Sequence, residues 1–154
     1  MRENNHIRPA TIHDLDLIFT WSNDKQVRKN SFNNSKIKYS NHKIWFKKNI
    51  KKKSIFIFAN GKKLLGLIRI SDFNKGIKIS YSISKENRGK NLGSKMINFF
   101  CNKLKKNRKL KKKKIYAFVI KKNNASKKTL LRSSFNYLGI RYKKECYMRI
   151  IDEN

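Results

Sequence analysis

An amphipathic strand that runs into a basic, glycine-containing loop and then a long helix constrains this chain more than any other feature. Ile77, Ile79, Tyr81 and Ile83 alternate with Lys78, Ser80 and Ser82, the period-two pattern of a strand with two different faces. The loop Arg88-Gly89-Lys90-Asn91-Leu92-Gly93-Ser94 follows, and Leu92, Met96, Ile97, Phe100 and Leu104 then recur at helical spacing. This order is a physical recipe for holding a phosphate. The first N–H groups of a helix lack intrahelical partners, and the helix dipole adds partial positive charge there. Glycine lets the backbone approach a ligand, and Arg88 and Lys90 add charge and donors. The loop has neither the Gly-Lys-Ser/Thr ending of a Walker loop nor the three glycines of a dinucleotide fingerprint. Tight turns also need glycine for their own sake, so the loop alone leaves the ligand open.

The rest of the chain supplies a context. His6 to Ala10 reads as a first strand, and Thr11 with Asp14 as a helix start close to a capping box. Leu15, Ile18 and Phe19 give that helix an apolar face. A polar stretch covers Ser22 to Lys38, and a second helix opens at Ser40 with Ile44, Trp45 and Ile50 turned inward. Ser54 to Ala59 and Leu64 to Ser71 read as strands, closed by Asn60-Gly61 and Asn74-Lys75-Gly76. After the loop and its helix comes a lysine block, Lys105 to Lys114. The apolar run Ile115 to Ile120 then suits a strand covered on both faces. A helix over about Ala125 to Ser133 and two strands complete the order β-α-α-β-β-β-α-β-α-β-β, an α/β or α+β domain. No Pro- or Gly-rich linker divides residues 1–154, so one domain is expected.

The formal charge of +31 suggests a polyanionic partner: nucleic acid, ribosome, membrane surface or a phosphate-rich ligand. Of the 40 basic residues 31 are Lys, beside 19 Asn and 19 Ile, all residues of AT-rich codons, so genome bias accounts for much of the charge. No helix-turn-helix, RNP-type strand or zinc finger appears. Cys101 and Cys146 form no metal-ligand spacing, and buried reduced thiols are expected, with no metal. No apolar run approaches the ~18 residues of a membrane span, and residues 1–13 carry no secretory pattern, so the expected compartment is the cytoplasm.

Two spaced motifs then point to a family. Arg88-Gly89-Lys90-Asn91-Leu92-Gly93 after an amphipathic strand resembles the acetyl-CoA loop of the GNAT N-acetyltransferases, Gln/Arg-x-x-Gly-x-Gly/Ala. Asn123-Asn124-Ala125-Ser126, followed by Leu130-Leu131 and Phe135, resembles that family's second motif. Four departures stand out. Asn91 and Ser134 occupy places of Gly, Leu130 holds the place of a frequent Tyr acid, and Lys78 replaces a frequent acidic residue. The N-terminal third carries W-x-N-D at Trp21 to Asp24, V-R-x-x-x-F at Val27 to Phe32, and H-x-x-W-F at His42 to Phe46. That pattern is similar to GNATs that acetylate nucleotide-linked amino sugars, as in the pseudaminic-acid pathway, and ribosomal-protein N-acetyltransferases share part of it.

The resemblance implies a mixed, mostly antiparallel central sheet flanked by helices, with acetyl-CoA as co-substrate. Ile83, Arg88, Gly89, Lys90, Asn91, Leu92, Gly93, Ser94, Asn123 and Ser126 would hold the donor. Backbone N–H groups near Ser82 and Ile83 would polarise the thioester carbonyl. The acceptor is expected to be a small-molecule amine, a nucleotide-linked deoxy-amino sugar, met by Trp21, Asn23, Arg28, Asn30, Phe32, His42 and Trp45. His42 is the candidate base or substrate contact, or a helix-surface histidine. Ser82 is placed to hold a water, or is a plain sheet serine. Trp45 offers an aromatic shelf or core packing. Arg28 offers a fork for a pyrophosphate or a surface ion pair. The oligomeric state expected is monomer or homodimer. Rival readings are a ribosomal-protein N-terminal acetyltransferase, a nucleic-acid-binding module, and a GNAT that binds acetyl-CoA without catalysis.

Overall fold

A computed structural model describes residues 4–107 and 113–151. The strands are β1 (Asn5–Pro9), β2 (Ile55–Asn60), β3 (Lys63–Phe73), β4 (Gly76–Ile83), β5 (Lys114–Val119), β6 (Asn136–Arg141) and β7 (Lys144–Ile150). The helices are α1 (Leu15–Ser22), α2 (Lys25–Lys29), α3 (Tyr39–Lys51), α4 (Leu92–Lys105) and α5 (Asn124–Arg132). Among the described residues the strands form one mixed sheet in the order β1-β2-β3-β4-β5-β7-β6, antiparallel except where β4 meets β5. The order expected from the sequence holds, with one addition. The polar stretch from Ser22 contains the five-residue α2, whose cap is Asp24: its Oδ1 accepts from the N–H of Gln26 and of Val27, each at 3.1 Å. Part of the lysine block expected after α4 lies outside the described residues.

Alternation along β2 and β3 builds two cores, one on each face of the sheet. Ile55, Ile57 and Leu67 pack with Ile18 of α1 and Phe46 of α3. Phe56, Phe58 and Ile68 pack with Met96, Ile97 and Phe100 of α4 and with Leu130 of α5. The entry to α1 is tied down by Asp14. Its carboxylate accepts the Thr11 N–H at 2.7 Å and takes both Arg8 Nη groups at 2.8 and 2.9 Å. Cys101 and Cys146 are buried free thiols, and burial pushes both up from their ordinary range. Among the described residues, no helix is long and apolar enough to cross a membrane.

The site is positioned by an incomplete pairing. β4 and β5 run parallel in register only from Ile77↔Ile115 to Ile79↔Ala117. Ser80 to Ile83 pair with β3 but have no register partner on β5. The two strands therefore part at their carboxyl ends, where α/β sheets place their ligands. The Ser84 N–H donates to the Leu65 carbonyl, so even-numbered residues of β4 turn their backbone groups toward β3. The N–H groups of Tyr81 and Ile83 consequently face the opening between β4 and β5.

Candidate active site

A cleft of about 1050 Å³ runs from the start of α4, through the opening between β4 and β5, onto the α3 face of the sheet. At the α4 end, Ser84 is buried and its Oγ accepts from Asn87 Nδ2 at 2.7 Å, fixing the exit from β4. Gly89 (φ 76°) and Asn91 (φ 55°, ψ 17°) carry the chain through left-handed backbone into α4. Asn tolerates that conformation better than most residues, so it can stand where a glycine is usual. Gly93 serves packing: a Cβ there would lie 3.0 Å from Thr129 Cγ2, which lets α4 close on α5. Arg132 Nη1 donates to Asn91 Oδ1 at 2.6 Å, so α5 also steadies the loop. Asn91→Gly removes both the left-handed strain and this bond, and frees the Arg132 fork. We expect it to bind CoA at least as tightly as the native protein in titration calorimetry.

At the start of α5, Asn123 Oδ1 accepts from the Ser126 N–H at 3.1 Å. Tyr81 Oη lies 2.6 Å from Ser126 Oγ and donates to the Ser126 carbonyl at 3.2 Å. Burial pushes the Tyr81 phenol up to about 12 against the opposing bonds from Ser126 and Thr129, which leaves it a protonated donor.

The other half of the cleft lies on the opposite face. Trp45, Arg69, Ser71, Lys78, Ser80 and Ser82 form its floor and wall. Phe32 closes one rim, with Lys144 Nζ of β7 3.6 Å from its ring centre. The Arg69 guanidinium lies 5.7 Å from the Trp45 ring centre. Burial, with the like charge of Arg28 second, lowers Arg69 to about 10. Among the described residues lining the whole cleft none is Asp, Glu or His, while Arg28, Arg69, Lys78, Arg88, Lys128 and Arg132 all contribute.

A family model for the acetyltransferase (GNAT) domain matches residues 6–136. The chain belongs to that family. It is therefore an acetyltransferase by fold and family, although no curated protein matches it in sequence. A spermidine N-acetyltransferase from Vibrio cholerae, solved with CoA and spermine, has a TM-score of 0.81 at 18% identity, covering 96% of this chain and 95% of that one. The aminoglycoside acetyltransferase AAC(6')-Ib, solved with coenzyme A and kanamycin, gives 0.80 at 13% identity over 95% and 94%. An N-acetyltransferase from Staphylococcus aureus gives 0.77 at 19% identity over 96% and 99%. At such identities the likeness speaks for the fold, and the GNAT fold expected from the two motifs is the one observed.

Within this GNAT domain the residues singled out from sequence separate into two groups. Ser82, Ile83, Arg88, Gly89, Asn91, Leu92, Gly93, Asn123 and Ser126 line the cleft, as do Arg28, Asn30, Phe32 and Trp45. Lys90, Ser94, Trp21, Asn23 and His42 do not. Lys90 Nζ turns back to the Glu86 carbonyl at 3.2 Å, and Ser94 Oγ donates to the Thr129 carbonyl at 3.3 Å. Trp21 packs against the α1–α3 core. Asn23 exchanges bonds with Ile37, donating to its carbonyl at 3.0 Å and accepting from its N–H at 2.8 Å. That pair fastens the two ends of the 23–37 segment.

His42 needs the firmest correction. It is buried between α1 and α3, stacked on Phe46 at 5.8 Å, with Nε2 3.1 Å from the Leu15 carbonyl oxygen. That oxygen only accepts, so Nε2 carries the proton. The ring packs behind Trp45, at 5.6 Å between ring centres, and does not line the cleft. Burial first, against the Leu15 bond and with the Arg69 charge, holds His42 below its ordinary 6.5. Below about pH 6.5 the unfolded chain takes up a proton that the folded one refuses, so stability falls with falling pH. Melting curves from about pH 8 to 5 should show this slope, and His42→Phe should flatten it.

Two arginines that line the cleft also make structural bonds. Arg88 Nη2 pairs with Asp24 Oδ1 at 2.6 Å and its Nε donates to the Ile83 carbonyl at 3.1 Å. It joins the donor loop to the α2 cap. Although burial opposes it, the Arg88 and Val27 hydrogen bonds hold the Asp24 carboxyl below the usual carboxylate range. Arg28 gives Nη1 to the carbonyls of Asn33 and Ser35 at 3.1 and 3.2 Å and Nη2 to Ser31 Oγ at 3.0 Å, shaping the rim. Arg69 and Tyr81 line the cleft as well, Arg69 from inside an apolar strand and Tyr81 from the apolar stripe of β4. A lone arginine inside the apolar run Leu64 to Ile70 was the available signal for the first. Leu130, in the place of the frequent tyrosine acid, is sealed in the core.

Proposed function

We propose that the protein transfers acetyl from acetyl-CoA to the primary amine of a nucleotide-linked amino sugar. The cleft that joins a phosphate-binding helix start to a cation-lined acceptor half carries this reading. On the donor side, the unpaired N–H groups at the start of α4 suit the pyrophosphate. The opening between β4 and β5 suits the pantetheine arm. The Ile83 N–H suits the oxygen of the reacting carbonyl, which becomes an oxyanion in the tetrahedral intermediate. The sugar amine attacks the thioester carbon, the C–N bond forms, the C–S bond breaks and the thiolate leaves. The proton of the new ammonium passes to solvent, and the hydroxyls of Ser80 and Ser82, which line the cleft, suit the ordering of the water that takes it.

The attacking amine must be neutral. Like charges disfavour an ammonium ion, so Arg28, Arg69 and Lys78 lower the amine's pKa without a dedicated base. A polycationic acceptor such as spermine, bound by the Vibrio cholerae protein, would meet repulsion here. A sugar carrying a diphosphate would meet attraction. Two buried thiols and an acetyl-CoA donor fit a cytoplasmic setting.

Acetyl-CoA should raise the melting temperature, since a ligand at a hundredfold excess over Kd stabilises by about 2.7 kcal/mol. For a chain of this size that is roughly 5–11 °C. No shift at millimolar acetyl-CoA would remove the donor from the proposal.

A further inference from the structure

We infer that Arg69 is the specificity-determining residue that reads an anionic group on the acceptor, its open fork receiving phosphate oxygens on the floor of the acceptor half. The inference rests on the acetyl-transfer reading for its acceptor site, and deepens it by naming the group recognised.

Arg69 sits in the middle of β3, opposite Ile55 on β2 and Ser80 on β4. It lines the cleft, and its Nε is sealed from solvent with no hydrogen-bond partner. Among the described residues no acceptor or carboxylate meets its guanidinium. Its neighbours are the Trp45 ring and the like charge of Arg28. The residue as a whole is half-buried, so its Nη fork opens to the cleft while the Nε behind it is left without a partner, and buried polar groups in native proteins are normally satisfied. An anion entering the cleft would meet the open side of this fork.

The other cations of this half are differently disposed. Arg28 has its Nη groups committed to the 31–35 turn. Lys78 Nζ lies 5.8 Å from the Phe73 ring centre and offers a point charge. Arg69 alone of the three presents an uncommitted planar fork, the geometry that matches phosphate or carboxylate oxygens in pairs. The Trp45 ring lies beside it, with its centre 5.7 Å from the guanidinium carbon.

Position selects the acceptor further. Ser80, opposite Arg69, stands three residues before Ile83 on β4. Three strand residues span about 10 Å. The register position of Arg69 and the Ile83 N–H are thus apart, along the sheet, by roughly one sugar ring and its ester linkage. A nucleoside diphosphate on the carbon across the ring from the amine meets that spacing. A sugar carboxylate supplies the same chemistry from a second source.

The test uses CoA-saturated protein, so that the donor site is filled, titrated calorimetrically with uridine diphosphate, inorganic pyrophosphate and glucuronate. The native protein should bind a phosphate probe. Arg69→Gln should weaken it roughly tenfold or more, as expected for lost charge-assisted bonds, and Arg69→Lys by less. Lys62→Gln removes the same charge from the exposed β2–β3 turn and should change nothing. Unchanged CoA affinity shows that each variant is folded. Binding of glucuronate alone would keep the anion site and overturn the phosphate. No binding of any probe, or equal binding by Arg69→Gln and native protein, would overturn the inference. Acetylation of a nucleotide sugar with unaltered kinetics in Arg69→Gln would end it while sparing the proposed function. Anion binding through Arg69 without such acetylation would do the reverse.

Discussion

Gly66→Ala should cut kcat about 100-fold and lower stability by up to about 3 kcal/mol. A Cβ at this position would lie 2.6 Å from the Ser82 carbonyl oxygen and 2.9 Å from Ile83 Cδ1. The first of these is backbone, which cannot swing aside as a long side chain would. The last residues of β4 must therefore move away from β3, carrying the Ile83 N–H with them. Oxyanion donors act only at hydrogen-bond distance, so a displacement of about 1 Å is enough to lose most of their effect. Steady-state thiol release beside a melting curve checks both parts. Full activity in a destabilised Gly66→Ala protein would detach Ile83 from the chemistry.

Asp24→Ala should have the second largest effect, because one carboxylate serves two loops. It caps α2 through Gln26 and Val27, and it holds Arg88 of the donor loop. Losing the cap costs about 1–2 kcal/mol. The ion pair is part-exposed, at 31% and 18%, and adds about 1 kcal/mol at most. The segment that caps onto Asp24 also carries Arg28, Asn30 and Phe32 to the acceptor rim. Acceptor KM should therefore rise about tenfold, in proportion to the lost cap. Asp24→Asn keeps a capping oxygen and removes only the charge, so it should retain most of the stability and most of the acceptor affinity. Equal damage from both variants would place the ion pair, rather than the cap, at the centre of the joint.

The sequence was most legible where one physical requirement fixes a residue type. The alternation of Ile77 to Ile83 gave β4 its two faces, and the start of α4 followed from the glycine-bearing loop. Asn91 in left-handed backbone explains why a glycine is usual there. Ser134, at φ 61° after α5, explains the other replaced glycine in the same way. Reading failed where side-chain direction depends on partners distant in sequence. His42 has the chemistry of a base, yet α1 packs over it and the Leu15 carbonyl occupies it. Arg88 lies 64 residues from Asp24, and nothing local reveals that pair. Trp21 and Asn23 were expected from the sequence to meet the acceptor, but they pack and hydrogen-bond outside the cleft lining. Arg69 was hidden by its surroundings, since a half-buried arginine in an apolar strand declares itself only once its unpartnered Nε is seen.

The most direct test of the account is acetyl transfer itself, followed by thiol release and by mass spectrometry of the acceptor. Purified protein would be given acetyl-CoA with a uridine-diphosphate-linked amino sugar, with spermidine, or with basic amino-terminal peptides. The account predicts turnover of the nucleotide-linked sugar, with the acetyl group on its amine and little or no turnover of spermidine. Turnover of peptides or spermidine alone, with the nucleotide sugar untouched, would contradict it.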